Sequence, residues 1–177
     1  EREPVLVLAG PGNNGGDAFE TAARLLVDQC EVHLVFTGDA LRLSVDAAAA
    51  RQRFLGAGGF ELAHIPDVAR WSLIIDGLFG IGLQREITGW AAELIGQANR
   101  LARQHGCPLL ALDCPSGLDA DRGSVRGTVI EASHTLTFIT SKPGLLTGDG
   151  PDFCGTLAVA DLGLDATKLT AARDYAL

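Results

Sequence analysis

Short runs of consecutive apolar residues alternate along this chain with longer segments in which apolar positions recur every three or four residues. A continuous apolar run suits a strand buried on both faces, whereas the 3.6-residue period suits a helix with one buried stripe. Val5 to Ala9 is the first such run and stops at Gly10; a helical pattern containing Ala22, Ala23, Leu25 and Leu26 then extends from about Asp17 to Gln29. Glu31 to Phe36 predicts a second strand, stopped by Thr37-Gly38-Asp39, and Ser44 or Asp46 caps an Ala-rich helix that ends in Gly56, Gly58 and Gly59. Phe60 to Ile65 reads as a short strand, Pro66 to Trp71 as a helical turn, and Leu73 to Ile75 as a buried strand ending at Asp76. Beyond a Gly-rich loop from Gly77 to Gly89, the spacing of Trp90, Leu94, Ile95, Ala98, Leu101 and Ala102 marks an amphipathic helix. Strands are expected at Pro108 to Leu112, His134 to Ile139 and Thr156 to Ala160, with a Gly- and Pro-rich loop before the last and a terminal helix or frayed tail from Asp165.

Strands that alternate with helices need crossover connections, and the crossovers cover both faces of a mostly parallel sheet. The expected fold is therefore α/β, a three-layer αβα Rossmann-like sandwich. In such sheets a ligand sits beyond the carboxyl ends of the strands. Three polar, Gly-rich segments fall there: Gly10 to Asp17, Asp76 to Glu86 and Asp113 to Asp119.

Composition narrows the picture. The 177 residues fit one domain, 1–177, with a core that needs no staples, and 47% apolar with 20% charged residues excludes a disordered chain. A net charge of −8 argues against charge-driven binding to nucleic acid or to an anionic membrane. No apolar run approaches the roughly 20 residues needed to span a bilayer. The four cysteines form no CxxC pair, which points to a reduced, cytoplasmic setting. There is no methionine and the first strand begins at Val5, so the natural start is expected upstream.

Gly10-Pro11-Gly12-Asn13-Asn14-Gly15 satisfies G-x-G-x-x-G after a strand. Glycines there let a diphosphate approach backbone N–H groups at a helix start. Asp17 stands where a phosphate would sit and departs from an ordinary dinucleotide site; the plainer alternative is a tight turn with Asp17 as helix cap. Asn14, Asp76 and Ser116 are oxygen donors at strand ends that, with backbone carbonyls, could hold a hard cation, although an Asp after a strand more often caps a turn. Asp113 is a candidate general acid/base, with a turn-capping role as its rival. Ser116 with His134 as a hydrolytic pair lacks the G-x-S-x-G elbow. Lys142 either meets a phosphate or is solvated, and His33, Trp71 and Trp90 read as structural or interfacial.

Taken together, Gly10 to Asp17, Asp76-Gly77-Leu78-Phe79-Gly80-Ile81-Gly82-Leu83, Asp113 to Asp119, and Thr137-Phe138 with Lys142-Pro143-Gly144 resemble the N-terminal domain of the YjeF family. Members of that family epimerise NAD(P)HX, the hydrated form of NADH or NADPH. The resemblance covers nearly the whole chain and lacks the family's usual N-terminal helical segment. It implies an NAD(P)H-hydrate epimerase, an isomerase of nicotinamide cofactor repair. It places Asn13, Asn14, Gly15, Gly16, Asp17, Gly80, Ile81, Gly82, Leu83, Gln84, Arg85, Glu86 and Asp113 on the NADHX or NADPHX substrate, with Asp113 catalytic. It also implies a potassium ion held by Asn14, Asp76 and Ser116, a homodimer, and in some members a dehydratase domain in the same or a separate chain. Ala18, Glu20, Glu86 and Cys114 depart from the family's usual residues. Two rival readings are a non-catalytic scaffold of the same fold and an NAD-dependent oxidoreductase that uses Glu31 or Asp39 on a ribose; Arg51 or Arg53 is a candidate for a 2′-phosphate.

Overall fold

The computed structural model describes residues 3–82 and 86–164. Seven strands form one sheet in the order β3-β2-β1-β4-β5-β6-β7, every neighbouring pair parallel. They are β1 (Val5–Ala9), β2 (Val32–Phe36), β3 (Glu61–Leu62), β4 (Leu73–Gly77), β5 (Leu109–Leu112), β6 (His134–Phe138) and β7 (Thr156–Ala160). Helices α1 (Asn13–Val27), α2 (Val45–Gly56) and α3 (Gly89–His105) are the long crossovers, and α4 (Pro143–Leu146) and α5 (Gly150–Cys154) lie between β6 and β7. The sheet expected to be mostly parallel is wholly so.

Alternation along β1 shows how the layers are built. Val5, Val7 and Ala9 pack with Phe19, Ala22, Leu34 and Phe54 on the side of α1 and α2, while Leu6 and Leu8 pack with Leu94, Ile95 and Ala98 of α3. Phe19 sits at the centre of the first layer, its ring 5.3 Å from Phe36 and 5.8 Å from Phe54. Such a residue costs about 3–5 kcal/mol to truncate to alanine. Because α1 leaves β1 on one face and α3 leaves β4 on the other, the chain opens a crevice between the carboxyl ends of β1 and β4, where the strand order reverses.

Three local expectations are corrected. Helix α1 begins at Asn13, not near Asp17: Gly12 is its N-cap in extended conformation (φ −102°, ψ −166°), and the Gly16 N–H reaches Gly12 O at 3.2 Å. Asp17 is thus inside the helix and caps nothing. The stretch from Pro66 to Trp71 forms no helical turn. Its polar groups go to the end of α3 instead, the Trp71 N–H to His105 Nδ1 at 3.1 Å and Arg70 to the His105 carbonyl at 2.9 Å, while the indole is buried against α3. The Gly- and Pro-rich segment before β7 is not loop alone but holds α4 and α5, each with a proline in its first two positions, where a missing N–H costs nothing. The tail from Asp165 lies outside the described residues. No described helix is long and apolar enough to cross a membrane.

Candidate active site at the β1/β4 crevice

The crevice contains a cavity of about 650 Å³, within the range of small-molecule and cofactor sites. Its walls are the β1–α1 junction from Pro11 to Asn14 with Asp17, the loop after β4 from Leu78 to Gly82, and Asp113 at the end of β5.

The first wall depends on close backbone packing. A Cβ on Gly10 would lie 1.7 Å from the Leu78 carbonyl oxygen, and one on Gly15 would lie 1.8 Å from that of Gly10. Gly15 and Gly16 are buried behind the wall and do not line the cavity, so their part is to let β1, α1 and the β4 loop meet. Among the described residues no side chain caps the start of α1, and no acidic residue stands in its first turn. The first-turn N–H groups are therefore free to meet an anion, which the helix dipole favours. Ser44 donates to Asn13 Oδ1 at 2.7 Å and accepts from the Ala47 N–H, tying the start of α2 to the start of α1.

Asp113 closes the far side in left-handed backbone geometry (φ +64°). That conformation is sparsely populated and persists where surrounding contacts hold it, often at functional sites. Its Oδ1 accepts from Lys142 Nζ at 2.6 Å and from Thr137 Oγ1 at 3.4 Å. Its Oδ2 lies 3.3 Å from the place a Cβ would take on Gly80, so the absence of a side chain there leaves this oxygen facing the cavity. Asp17 is solvent-accessible on the same cavity. Partial burial first, and then the charge of Asp113, hold its carboxyl above the usual value.

Beneath the cavity Asp76 and Ser116 are completely buried. Asp76 accepts the Ser116 hydroxyl at 2.7 Å, the Ser116 N–H at 2.8 Å and the Leu78 N–H at 3.1 Å. The Phe79 N–H donates to Ser116 Oγ at 2.9 Å, which locks the β4 loop to the β5 loop. Burial pushes the Asp76 carboxyl up to about 6 against these hydrogen bonds, and no described Lys or Arg pairs with it. Asn14 is also buried, and neither its Oδ1 nor its Nδ2 has a hydrogen-bond partner among the described residues. Asp119, the last residue of the third segment, braces its own loop by accepting the N–H groups of Asp121 and Arg122 and pairing with Arg126.

Of the residues singled out in the sequence, Asn13, Asn14, Asp17, Gly80, Ile81, Gly82 and Asp113 share one cavity. Glu86 is exposed and off its lining, with its side chain beside Gly127; Leu83, Gln84 and Arg85 lie outside the described residues. The hydrolytic pair does not exist: the Ser116 hydroxyl is committed to Asp76, and the His134 ring meets Ser133. Sequence reasoning singled out the Thr137 and Lys142 segment but gave Thr137 no role and misplaced Lys142, which is neither solvated nor free for a phosphate. Lys142 Nζ donates to Asp113 Oδ1, to Thr137 Oγ1 at 2.8 Å and to the Phe138 carbonyl at 2.7 Å. No local spacing signals this, because β5 and β6 bring its partners together.

The family described as YjeF-related protein N-terminus matches residues 1–144. The chain belongs to that family. This YjeF-related domain is 43% identical over 165 residues to a protein of Achromobacter xylosoxidans named NAD(P)H-hydrate epimerase, covering 92% of this chain and 77% of that protein. A protein of the same name from Oenococcus oeni is 35% identical over 160 residues, covering 90% and 74% of the two chains. The bifunctional NAD(P)H-hydrate repair enzyme Nnr of Escherichia coli is 42% identical over 162 residues, 91% of this chain but 31% of that protein. In fold the YjeF-related domain is similar to the crystal structure of yeast ynu0, with a TM-score of 0.75 at 18% identity over 92% of this chain and 68% of that one.

Two features of the YjeF-related domain bear on the rival readings. Glu31 immediately precedes β2, at the opposite end of the strands from the cavity, and pairs with His33, while Asp39 caps the turn at Leu41. Neither is poised as the ribose ligand of an oxidoreductase. Arg51 is held by Glu61 at 2.6 and 2.9 Å and Arg53 by Glu20 at 2.6 Å, so both guanidinium groups already have carboxylate partners. The departure at Ala18 has a structural counterpart, since a Cβ on Gly77 would come within 2.5 Å of the Ala18 methyl.

Proposed function

We propose that this domain is an NAD(P)H-hydrate epimerase, interconverting the R and S forms of NADHX and NADPHX in cofactor repair. The relatives of this name from Achromobacter xylosoxidans and Oenococcus oeni are matched over about three quarters of their own length. The observation that carries the chemistry is the free Oδ2 of Asp113, which faces the same cavity as the uncapped start of α1. The helix start suits the diphosphate of a dinucleotide, and Asp113 suits its reacting ring.

C6 of the substrate bears a hydroxyl beside the ring nitrogen. Removing the hydroxyl proton lets the C6–N1 bond open to an aldehyde, its electron pair passing to N1 and the conjugated carboxamide. Reclosure on the other face of the aldehyde returns the proton and inverts C6. In this reading Asp113 Oδ2 accepts and returns the proton as general base and acid. Its anchored Oδ1 and the strained backbone hold it ready, since proton transfer needs the carboxylate within hydrogen-bond reach.

Asn14, Asp76 and Ser116 are the residues that would hold a potassium ion. An unpartnered buried amide oxygen and a buried carboxylate without a cationic partner are what a hard monovalent cation would satisfy. When bound, the ion supplies positive charge beneath a cavity walled by carboxylates. We also infer a homodimer, a cytoplasmic setting consistent with four free thiols, and a dehydratase partner in the same chain or another. Relatives from Escherichia coli and Leishmania braziliensis are named as bifunctional repair enzymes. The reading is tested by adding the protein to a mixture of R and S NADPHX in potassium buffer and following the epimer ratio by chromatography. Conversion of R faster than in the protein-free control supports it, and tight binding without conversion refutes it.

A further inference from the structure

We infer that Lys142 is a positioning residue for this reaction: it pins Asp113 by one carboxylate oxygen, so that the other is the oxygen that handles the proton. The inference rests on the epimerase reading and on Asp113 as its proton-transfer group.

An ammonium has three N–H donors, and all three of Lys142 are spent, on Asp113 Oδ1, Thr137 Oγ1 and the Phe138 carbonyl. Lys142 is not among the residues that line the cavity, and its donors are committed within the protein instead of to a substrate phosphate. Two of its anchors belong to β6, the strand hydrogen-bonded to β5, which ends one residue before Asp113. The charge is therefore held by the sheet independently of the carboxylate it grips. The Lys142 backbone is extended (φ −90°, ψ 142°) and immediately precedes Pro143 at the start of α4, which limits its own freedom.

At the Asp113 end the geometry is one-sided. Oδ1 takes the ammonium, Thr137 Oγ1 and a long contact from the Phe138 N–H at 3.5 Å, whereas Oδ2 is directed at the gap beside Gly80. A carboxylate free to rotate would present either oxygen and spend time in unproductive rotamers. Asp113 in left-handed geometry needs outside contacts to hold one orientation, and Lys142 is the cation paired with it among the described residues. Asp17 feels the Asp113 charge as well, so that charge reaches across the cavity toward bound substrate. A precisely held carboxylate raises the rate of the proton step, while substrate affinity comes from other walls of the cavity.

The experiment compares wild type with Lys142→Gln, which drops the charge but keeps an N–H donor on a side chain one atom shorter, and with Lys142→Ala. Initial rates of epimerisation are measured over a range of NADPHX, alongside thermal unfolding of each protein. Expected is a fall in kcat on the order of 10- to 100-fold with KM changed little. Activity of Lys142→Ala should rise on adding propylammonium chloride, and not with tetramethylammonium chloride, which has no N–H to donate. Folded variants with wild-type kcat would overturn the positioning role while leaving the epimerase reading intact. A fall in kcat confined to Lys142→Ala, tracking lost stability and not rescued by the amine, would also overturn it. A wild-type protein that binds NADPHX without converting it would instead refute the epimerase reading itself.

Discussion

The Ser116 hydroxyl donates to Asp76 Oδ1 across 2.7 Å although 40 residues separate them in sequence. The pair joins the end of β4 to the loop after β5 under the cavity floor, and it is one of three hydrogen bonds that keep a wholly buried carboxylate tolerable. Ser116→Ala removes that donor and also the acceptor of the Phe79 N–H. Leaving such groups unsatisfied costs about 1–3 kcal/mol. Chemical denaturation should show a loss of that size, and an unchanged midpoint would show that the lock carries no weight.

Potassium should stabilise the folded protein through Asn14. A ligand that binds only the native state raises the unfolding temperature by mass action. Thermal scans in potassium chloride should therefore lie above those in lithium chloride at the same ionic strength, and Asn14→Leu should remove the difference. Coincident wild-type scans in the two salts would argue against a cation site.

The sheet was legible because short apolar runs bounded by polar or glycine residues have few other uses, and β1, β2, β4, β5 and β7 fall where those runs predict. The start of α1 was not. Asn and Gly are poor helix formers, and a glycine N-cap leaves no side-chain signal, so Asn13 to Gly16 read as loop. Packing overrides propensity there, with Gly15 against Gly10 and Gly16 against Ala47. The three segments of the site were visible as polar breaks after apolar runs. The partner of Lys142 was not, since it depends on β6 lying beside β5 and on the left-handed turn at Asp113.

Gly80 should tolerate a methyl in the fold but not in the site. An added Cβ would sit 3.3 Å from Asp113 Oδ2, close enough to shift that oxygen by a few tenths of an ångström, and would fill the space beside the Asn14 side chain at 3.4 Å. Gly80→Ala is expected to lower kcat/KM by about tenfold or more with a small change in unfolding temperature. Wild-type kinetics for this variant would place the reacting atoms elsewhere.

Asp17→Asn should be more stable than wild type at neutral pH. The Asp17 carboxyl is held above its ordinary value of 3.8 by partial burial and by Asp113. An acid raised on folding favours the native state below its unfolded value, and that contribution is lost as pH rises through the folded one. The asparagine has no charge to bury, so its advantage should be full above the raised value, decline as pH falls from there toward 3.8, and be gone below 3.8. A difference independent of pH would mean that the carboxyl is not responsible.

The central claim is that Asp113 moves the proton that inverts C6. The direct measurement is epimerisation of R NADPHX by wild type and Asp113→Asn, run at substrate concentrations where calorimetry shows both proteins saturated. Asparagine keeps the size of the side chain and can still accept from Lys142, but it cannot carry the proton. The account predicts bound substrate with conversion slowed by on the order of 100-fold or more. An Asp113→Asn protein that epimerises at the wild-type rate would contradict it.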